Sequence, residues 1–353
     1  MKQIYRLLLP LILTAFVQTT FAQQPALRGI YVNGFSSILG NSIKEDSLLR
    51  YAQDSSFNYL ALYDLHSLNF GNSSTLNTLA AFNRKAREQY GIPFIGAVGE
   101  NWSFFSNRIA FFNNGRTNVN EKFNVYNVEF EFWINASVGP NGYYCVQYLQ
   151  SANCNCDTAG AFKYYIDLMG KVDSLASLSG AISETYVGWF NQGQGQQLAQ
   201  KTDRILLHAY RTDPSSVFGY SRDRLSFLGS TSRVVTVAPI FSSEPVFMGP
   251  WLTNNPQVAA WNKYLLDYNN YAAAWKNKIN LTGYQWFNYG LMPKQVPTST
   301  IVFSPTITPN GPTSFCQGGN VELTATSGNN YLWSNGATTR TISVSTAGGY
   351  SCT

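Results

Sequence analysis

Polar and apolar sides alternate from Asn127 onward in one stretch of the chain, 124–135, which reads N-V-Y-N-V-E-F-E-F-W-I-N. Asn127, Glu129, Glu131 and Trp133 fall on one side of an extended chain there, and Val128, Phe130, Phe132 and Ile134 on the other, because side chains on a strand alternate with period two. The apolar side must be buried. The other side lines up an amide and two carboxylates, about 7 Å from one to the next on a regular strand. Carboxylates held that close repel each other and raise one pKa, which suits a general acid. An antiparallel strand with one wet face gives the same alternation, so the rest of the chain has to decide.

The same patterning predicts strands alternating with helices from Leu27 to Leu291. Strands are expected over 29–35, 58–65, 93–98, 123–134, 180–189, 204–210, 233–240 and 281–289. Helices are expected over 44–54, 74–90, 158–176, 195–202, 215–228 and 255–278. The 74–90 segment is the clearest, with Leu76, Leu79, Ala80, Phe82 and Ala86 near helical spacing and Gly91 as its stop. Eight strands separated by helices over roughly 265 residues predict an α/β fold, a (β/α)8 TIM barrel. An open doubly wound sheet would usually carry a Gly-rich phosphate turn after its first strand, and N-G-F-S-S-I-L-G is not one.

The texture changes after Met292. Residues 297–313 are rich in Pro, Thr and Ser and read as a linker. From Ser314 short strand-like runs follow, and Trp333 lies between Cys316 and Cys352, with Tyr350 two residues before the second cysteine. That Cys, Trp, Tyr-x-Cys order is the arrangement of immunoglobulin-like sandwiches, and 314–353 is too short for seven full strands. The expected organisation is a leader over 1–22, a barrel over 23–296, a linker over 297–313 and an incomplete all-β Ig-like module over 314–353.

The leader changes the picture of where the chain works. Lys2 and Arg6 precede an apolar run from Leu7 to Val17 and a small-x-small site at Thr20-Phe21-Ala22, the form of a secretory signal peptide. The protein is expected to be secreted or held at the cell surface, with its mature form starting near Gln23. No later run approaches the roughly 18 apolar residues of a spanning helix. Charged residues make up only 12% and aromatics 15%, which suits a secreted protein that meets carbohydrate. A net charge of +5 with no basic run argues against nucleic acid as a partner. Five cysteines fit an oxidising compartment. One disulfide is expected among Cys145, Cys154 and Cys156, leaving one thiol over, and another between Cys316 and Cys352. The cysteine spacing matches no usual zinc site, and His66 and His208 are the only histidines. Neither a metal nor a cofactor is expected, and the protein is read as a monomer.

The barrel resembles the chitinase-type family-eighteen glycoside hydrolases. Their fourth strand carries D-x-x-D-x-D-x-E, and here Asn124, Asn127, Glu129 and Glu131 stand in register with it. The third strand's end, Ala97-Val98-Gly99-Glu100, stands where the family has S-x-G-G. His208-Ala209-Tyr210-Arg211 stands where it has Met-x-Tyr-Asp, and the Trp286 of G-Y-Q-W stands where an eighth-strand Trp floors the sugar site. The resemblance implies that Glu131 is the general acid, that Glu129 steers the substrate's N-acetyl group, and that Tyr210 bonds the acetamido carbonyl. That group would then attack the sugar carbon in place of an enzyme nucleophile. The wording departs from the family at Asn124, Asn127, Glu129 and Arg211. A catalytic group displaced by about 1 Å can cost on the order of a hundredfold in rate. The C-terminal runs F-C-Q-G-G-N-V-E-L-T-A and Y-L-W-S-N-G-A-T-T-R-T-I-S-V resemble the repeated Ig-like modules of proteins secreted by Bacteroidetes.

The candidate catalytic residues are therefore Glu131, Glu129 and Tyr210. Asn127, Trp286, Gln285, Glu184, Trp189 and Trp102 are candidates for substrate binding. Each has a plainer reading. Glu131 would sit in a buried polar network, Glu129 in a salt bridge with Arg211, and Glu184 and Asp64 in structural pairs. The tryptophans and Tyr210 would be ordinary packing, and His208 a satisfied core histidine. The expected activity is hydrolysis of N-acetylglucosamine-containing glycans. One alternative is an inactive glycan-binding barrel on an adhesin or surface protein. Another is an unrelated barrel glycosidase pairing Glu131 with Glu184.

Overall fold

The computed structural model describes residues 26–294 and 307–352, apart from 315, 317 and 326–330. The leader and most of the linker lie outside the described residues. Two compact units divide at 297/298.

In the first unit, eight parallel strands close on themselves. They are β1 (Leu27–Val32), β2 (Tyr59–Leu62), β3 (Phe94–Gly99), β4 (Val125–Glu129), β5 (Ile182–Val187), β6 (Arg204–His208), β7 (Val235–Ser242) and, after the short β8 (Ile279–Leu281), β9 (Gly283–Phe287). Neighbours pair in sequence order from β1 to β7, and β9 closes the ring between β7 and β1. β8 adds a second, three-residue pairing beside β7. Helices Ser42–Asp54, Ser73–Glu88, Thr158–Leu178, Gln192–Leu198, Val217–Gly229 and Gln257–Asn270 connect strands around it. This is the TIM barrel that the alternation predicts.

Helix starts follow local chemistry. The side chains of Asn41, Asn72 and Asp157 each accept a backbone N–H of the first turn, and Asn191 and Gln194 form a reciprocal capping box. Several expected elements overrun the observed ones, two of them furthest. The strand expected to reach Ile134 stops at Glu129, where the pairing with β5 also ends, at Tyr186. Alternation persists beyond it without a partner strand, because Phe130 and Phe132 still bury themselves against Tyr144, Phe162 and Tyr165. The helix expected to reach Lys278 ends at Asn270, and a separate 3-10 turn covers Ala274–Lys278.

Two apolar layers result. The larger lies between strands and helices. The smaller fills the barrel itself and includes Tyr31, Tyr59, Val98, Val125, Tyr186, Leu206 and Ile240. The Tyr59 ring fits inside because the strands flanking β2 carry glycine. A Cβ on Gly96 would stand 2.5 Å from the Tyr59 hydroxyl, and one on Gly29 2.8 Å from Tyr59 Cδ1 and 1.6 Å from Gln285 Oε1.

The loop after β4 is tied by a disulfide between Cys145 and Cys156, with Cα atoms 5.1 Å apart, and Cys154 is the thiol left over. Closing a loop of this length contributes on the order of 3 kcal/mol in the chain-entropy view.

The second unit is a small antiparallel sheet, β10 (Ile307–Pro309), β11 (Val321–Ala325) and β12 (Thr341–Val344). Trp333 is its buried centre, with Nε1 donating to the Thr339 carbonyl at 2.7 Å and a backbone bridge to Cys352. Cys316 keeps an exposed free thiol, so the expected bridge to Cys352 is not formed. Among the described residues, no helix is long and apolar enough to cross a membrane.

Candidate active site

The barrel interior holds carboxylates at two levels. At the lower one, Glu184 of β5 is fully buried and ion-paired with Arg204 Nε of β6. Its Oε1 also accepts from the Tyr59 hydroxyl at 2.6 Å and from Asn127 Nδ2 at 2.5 Å. The Tyr31 hydroxyl donates to Asn127 Oδ1 at 3.0 Å. Burial works against the Arg204 charge, but Glu184 and Tyr59 outweigh it and raise the Arg204 pKa. A buried carboxylate with a cation and two further donors has its needs met inside the protein. Glu184 and Asn127, both candidates for substrate contact, are thus committed to each other. Gln285 also points into this level, fully buried with neither end of its amide hydrogen-bonded.

The upper level differs. Glu129 is the last residue of β4, at the C-terminal end of the barrel, where the catalytic groups of this fold lie. Its pKa is pushed up to about 8, first by burial and then by the charges of Glu131 and Glu100, with a Tyr31 hydrogen bond working the other way. Glu131 is partly buried two residues beyond the strand, its N–H facing the Tyr144 hydroxyl at 3.4 Å, and burial raises its pKa too. Glu100, one residue past β3, accepts at Oε1 from the Tyr143 hydroxyl at 2.5 Å and from that of Tyr148 at 2.6 Å. Among the described residues, no Lys, Arg or His forms an ion pair with any of the three. Arg211, the alternative partner for Glu129, instead lies over the Tyr220 ring at 5.1 Å.

Glu129 and Glu100 open into one cleft of about 370 Å³, lined also by Tyr63, Tyr143, Tyr144 and Tyr148. That is within the usual size of a small-ligand site, and its mixture of rings and a few polar groups is usual too. Beside it, Tyr210 packs on His208 at 4.2 Å and stacks on Phe287 at 6.0 Å. Burial raises the Tyr210 pKa strongly, with added repulsion from Tyr186 and Glu129. Trp189 stands half-exposed at the rim, 4.7 Å from His208, with the Arg224 guanidinium 5.5 Å over its ring. Burial and the Arg224 charge hold His208 down to about 3, so it is neutral at physiological pH, a core histidine as the plainer reading has it.

The structure brings Glu129, Glu131, Tyr210 and Trp189 to the barrel mouth. It does not bring Trp286 there. Trp286 follows Gln285 on β9, and neighbours on a strand face opposite ways. It is fully buried between strands and helices, 5.3 Å from Phe241, and Phe287 is the ring that faces inward. Trp102 lies on the outside of the barrel, in a groove with Ile166 and Leu175 of helix Thr158–Leu178. Asp64 accepts the hydroxyls of Ser36 and Ser67 and closes a turn. The residues missed are Glu100 and Tyr143, Tyr144 and Tyr148. Glu100 carried a readable signal, a carboxylate just past the end of a barrel strand. The tyrosines gave none, since their loop has no regular pattern.

No family model and no curated protein matches this sequence. Solved structures do resemble the chain. One is the C-terminal domain of a putative chitinase from Desulfitobacterium hafniense DCB-2, at 10% identity and a TM-score of 0.47, covering 78% of this chain and 97% of that one. Another is the spore cortex-lytic enzyme of Bacillus megaterium QM B1551, at 10% identity and 0.42, covering 77% and 72%. A third is a beta-1,4-mannanase from the sea hare Aplysia kurodai, at 11% identity and 0.42, covering 75% and 89%. Likenesses at this level add nothing to the barrel that the strand pairing already defines.

Proposed function

We propose that this barrel is an exported glycan hydrolase in which Glu129 donates the proton to the leaving oxygen. One observation carries the reading. Glu129, at the end of a barrel strand in an aromatic cleft, has its pKa pushed up to about 8, so it holds a proton at neutral pH. A positioned acid with a pKa near the working pH is what general acid catalysis asks for. The reading moves the acid from Glu131 to Glu129. Rings at the mouth, Trp189, Tyr210 and Phe287, supply apolar faces for sugars. The N-acetylglucosamine class of substrate rests on the resemblance of the fourth strand alone.

The rival is an inactive barrel that only binds glycan on a surface protein with Ig-like repeats. Asn127 favours it, since it bonds Glu184 rather than the acid and cannot exchange a proton with Glu129. The test uses the purified protein and its Glu129→Gln form with chitin oligosaccharides, N-glycans and β-mannan. Mass spectrometry reads products and calorimetry reads binding. Cleavage that falls by about 10²–10⁴ in the variant is expected. Equal binding by both forms without product would leave the rival standing.

A further inference from the structure

An acid alone does not hydrolyse a glycoside; something must attack or stabilise the opposite face of the sugar. The acetamido route implied by the fourth strand assigns Glu129 to steer the N-acetyl group, a place it cannot fill while it serves as the acid at the leaving oxygen. Glu129 holds a proton in the reading above, and this inference rests on that reading.

We infer that Glu100 is the second catalytic carboxylate, the general base for water, and that hydrolysis needs no 2-acetamido group on the substrate. Glu100 lies on the strand end next to Glu129 and lines the same cleft. Two phenol hydroxyls, from Tyr143 and Tyr148, both donate to its Oε1. Those donors fix the carboxylate as an acceptor and hold its orientation, and Oε2 accepts no hydrogen bond among the described residues. Tyr148 keeps its own proton firmly: burial raises its pKa, and the bond to Glu100 raises it further. A cleft of about 370 Å³ has room for a water, whose share of the liquid is about 30 Å³, beside a bound sugar.

The step balances without a co-reactant. Glu100 Oε2 takes a proton from water as the water oxygen bonds the anomeric carbon. The glycosidic C–O bond breaks, and its electron pair goes to the leaving oxygen, which receives the Glu129 proton. Both carboxyls then exchange protons with solvent. Attack by water from the opposite face inverts the anomeric centre, whereas participation by an acetamido group, or a covalent glycosyl-enzyme, retains it.

The experiment follows the first product formed by the wild-type protein by ¹H NMR, on a glycan with 2-acetamido groups and on one with 2-hydroxyl groups. Inversion is expected, with turnover of the 2-hydroxyl glycan. Glu100→Gln is expected to lower kcat by about 10²–10⁴ with little change in KM, and Tyr148→Phe by much less. Retention of configuration would overturn the role of Glu100 while leaving Glu129 as the acid. Absence of product from every glycan would instead overturn the hydrolase reading, and this inference with it. The wild-type stereochemistry decides even where the Glu100 variant does not fold.

Discussion

Glu184 and Glu129 both point into the same barrel from neighbouring strands, β5 and β4, and they have opposite fates. Glu184 meets Arg204, Tyr59 and Asn127 at the closed lower level. Glu129, two residues further up β4 than Asn127, meets a cleft, two other carboxylates and rings. A buried carboxylate with a cation becomes a structural fixture. One with only like charges nearby keeps a proton at neutral pH and is available for chemistry. Partners, more than burial or residue type, separate the two.

The comparison can be broken most forcefully at the lower level. Glu184→Gln leaves Arg204 buried without its counter-charge, and loss of one member of a buried pair costs about 3–5 kcal/mol. Urea unfolding should read a loss of that size. A change below about 1 kcal/mol would mean that the pair is not the fixture described. A stability loss of similar size, set against a smaller effect on binding, separates the two faces of β9. Trp286→Ala, in the layer between strands and helices, should lower stability by about 3–5 kcal/mol and leave glycan affinity unchanged. Phe287→Ala, at the mouth, should weaken binding by about tenfold, the order of one aromatic contact. Calorimetry on both variants checks this, and weaker binding by Trp286→Ala alone would return Trp286 to the sugar site.

Those outcomes bear on what the sequence made legible. Strand order and the inward row of Asn127 and Glu129 could be read directly, because period-two alternation is a local property. The end of β4 could not, since Phe130 and Phe132 keep alternating after their partner strand stops. The sequence reading puts both Gln285 and Trp286 in the site, although adjacent residues of a regular strand cannot both face the barrel axis. The motif match favours the bulkier ring, and parity places it outside. The partner of Glu184 was not legible either: Arg204 begins the next strand, and only the barrel's register sets the two side by side. Tyr143 and Tyr148 reach Glu100 from a loop whose course depends on tertiary packing and the Cys145–Cys156 bond.

The central claim is that Glu129 is protonated at neutral pH. Its folded pKa is raised from an ordinary value near 4.5 to about 8. The folded protein therefore holds a proton that the unfolded chain releases between those values. Its contribution to stability is fullest below about pH 4.5 and is lost as pH rises to about 8. Activity that depends on the acid form should fall across the same upper limit. The direct measurement is a ¹³C NMR titration of carboxyl-labelled glutamate, with the Glu129 signal assigned by its loss in Glu129→Gln. A midpoint near 8 is the result expected, moving lower in Glu131→Gln as a neighbouring charge is removed. A midpoint between 4 and 5, roughly that of an exposed glutamate, would contradict the account at its root.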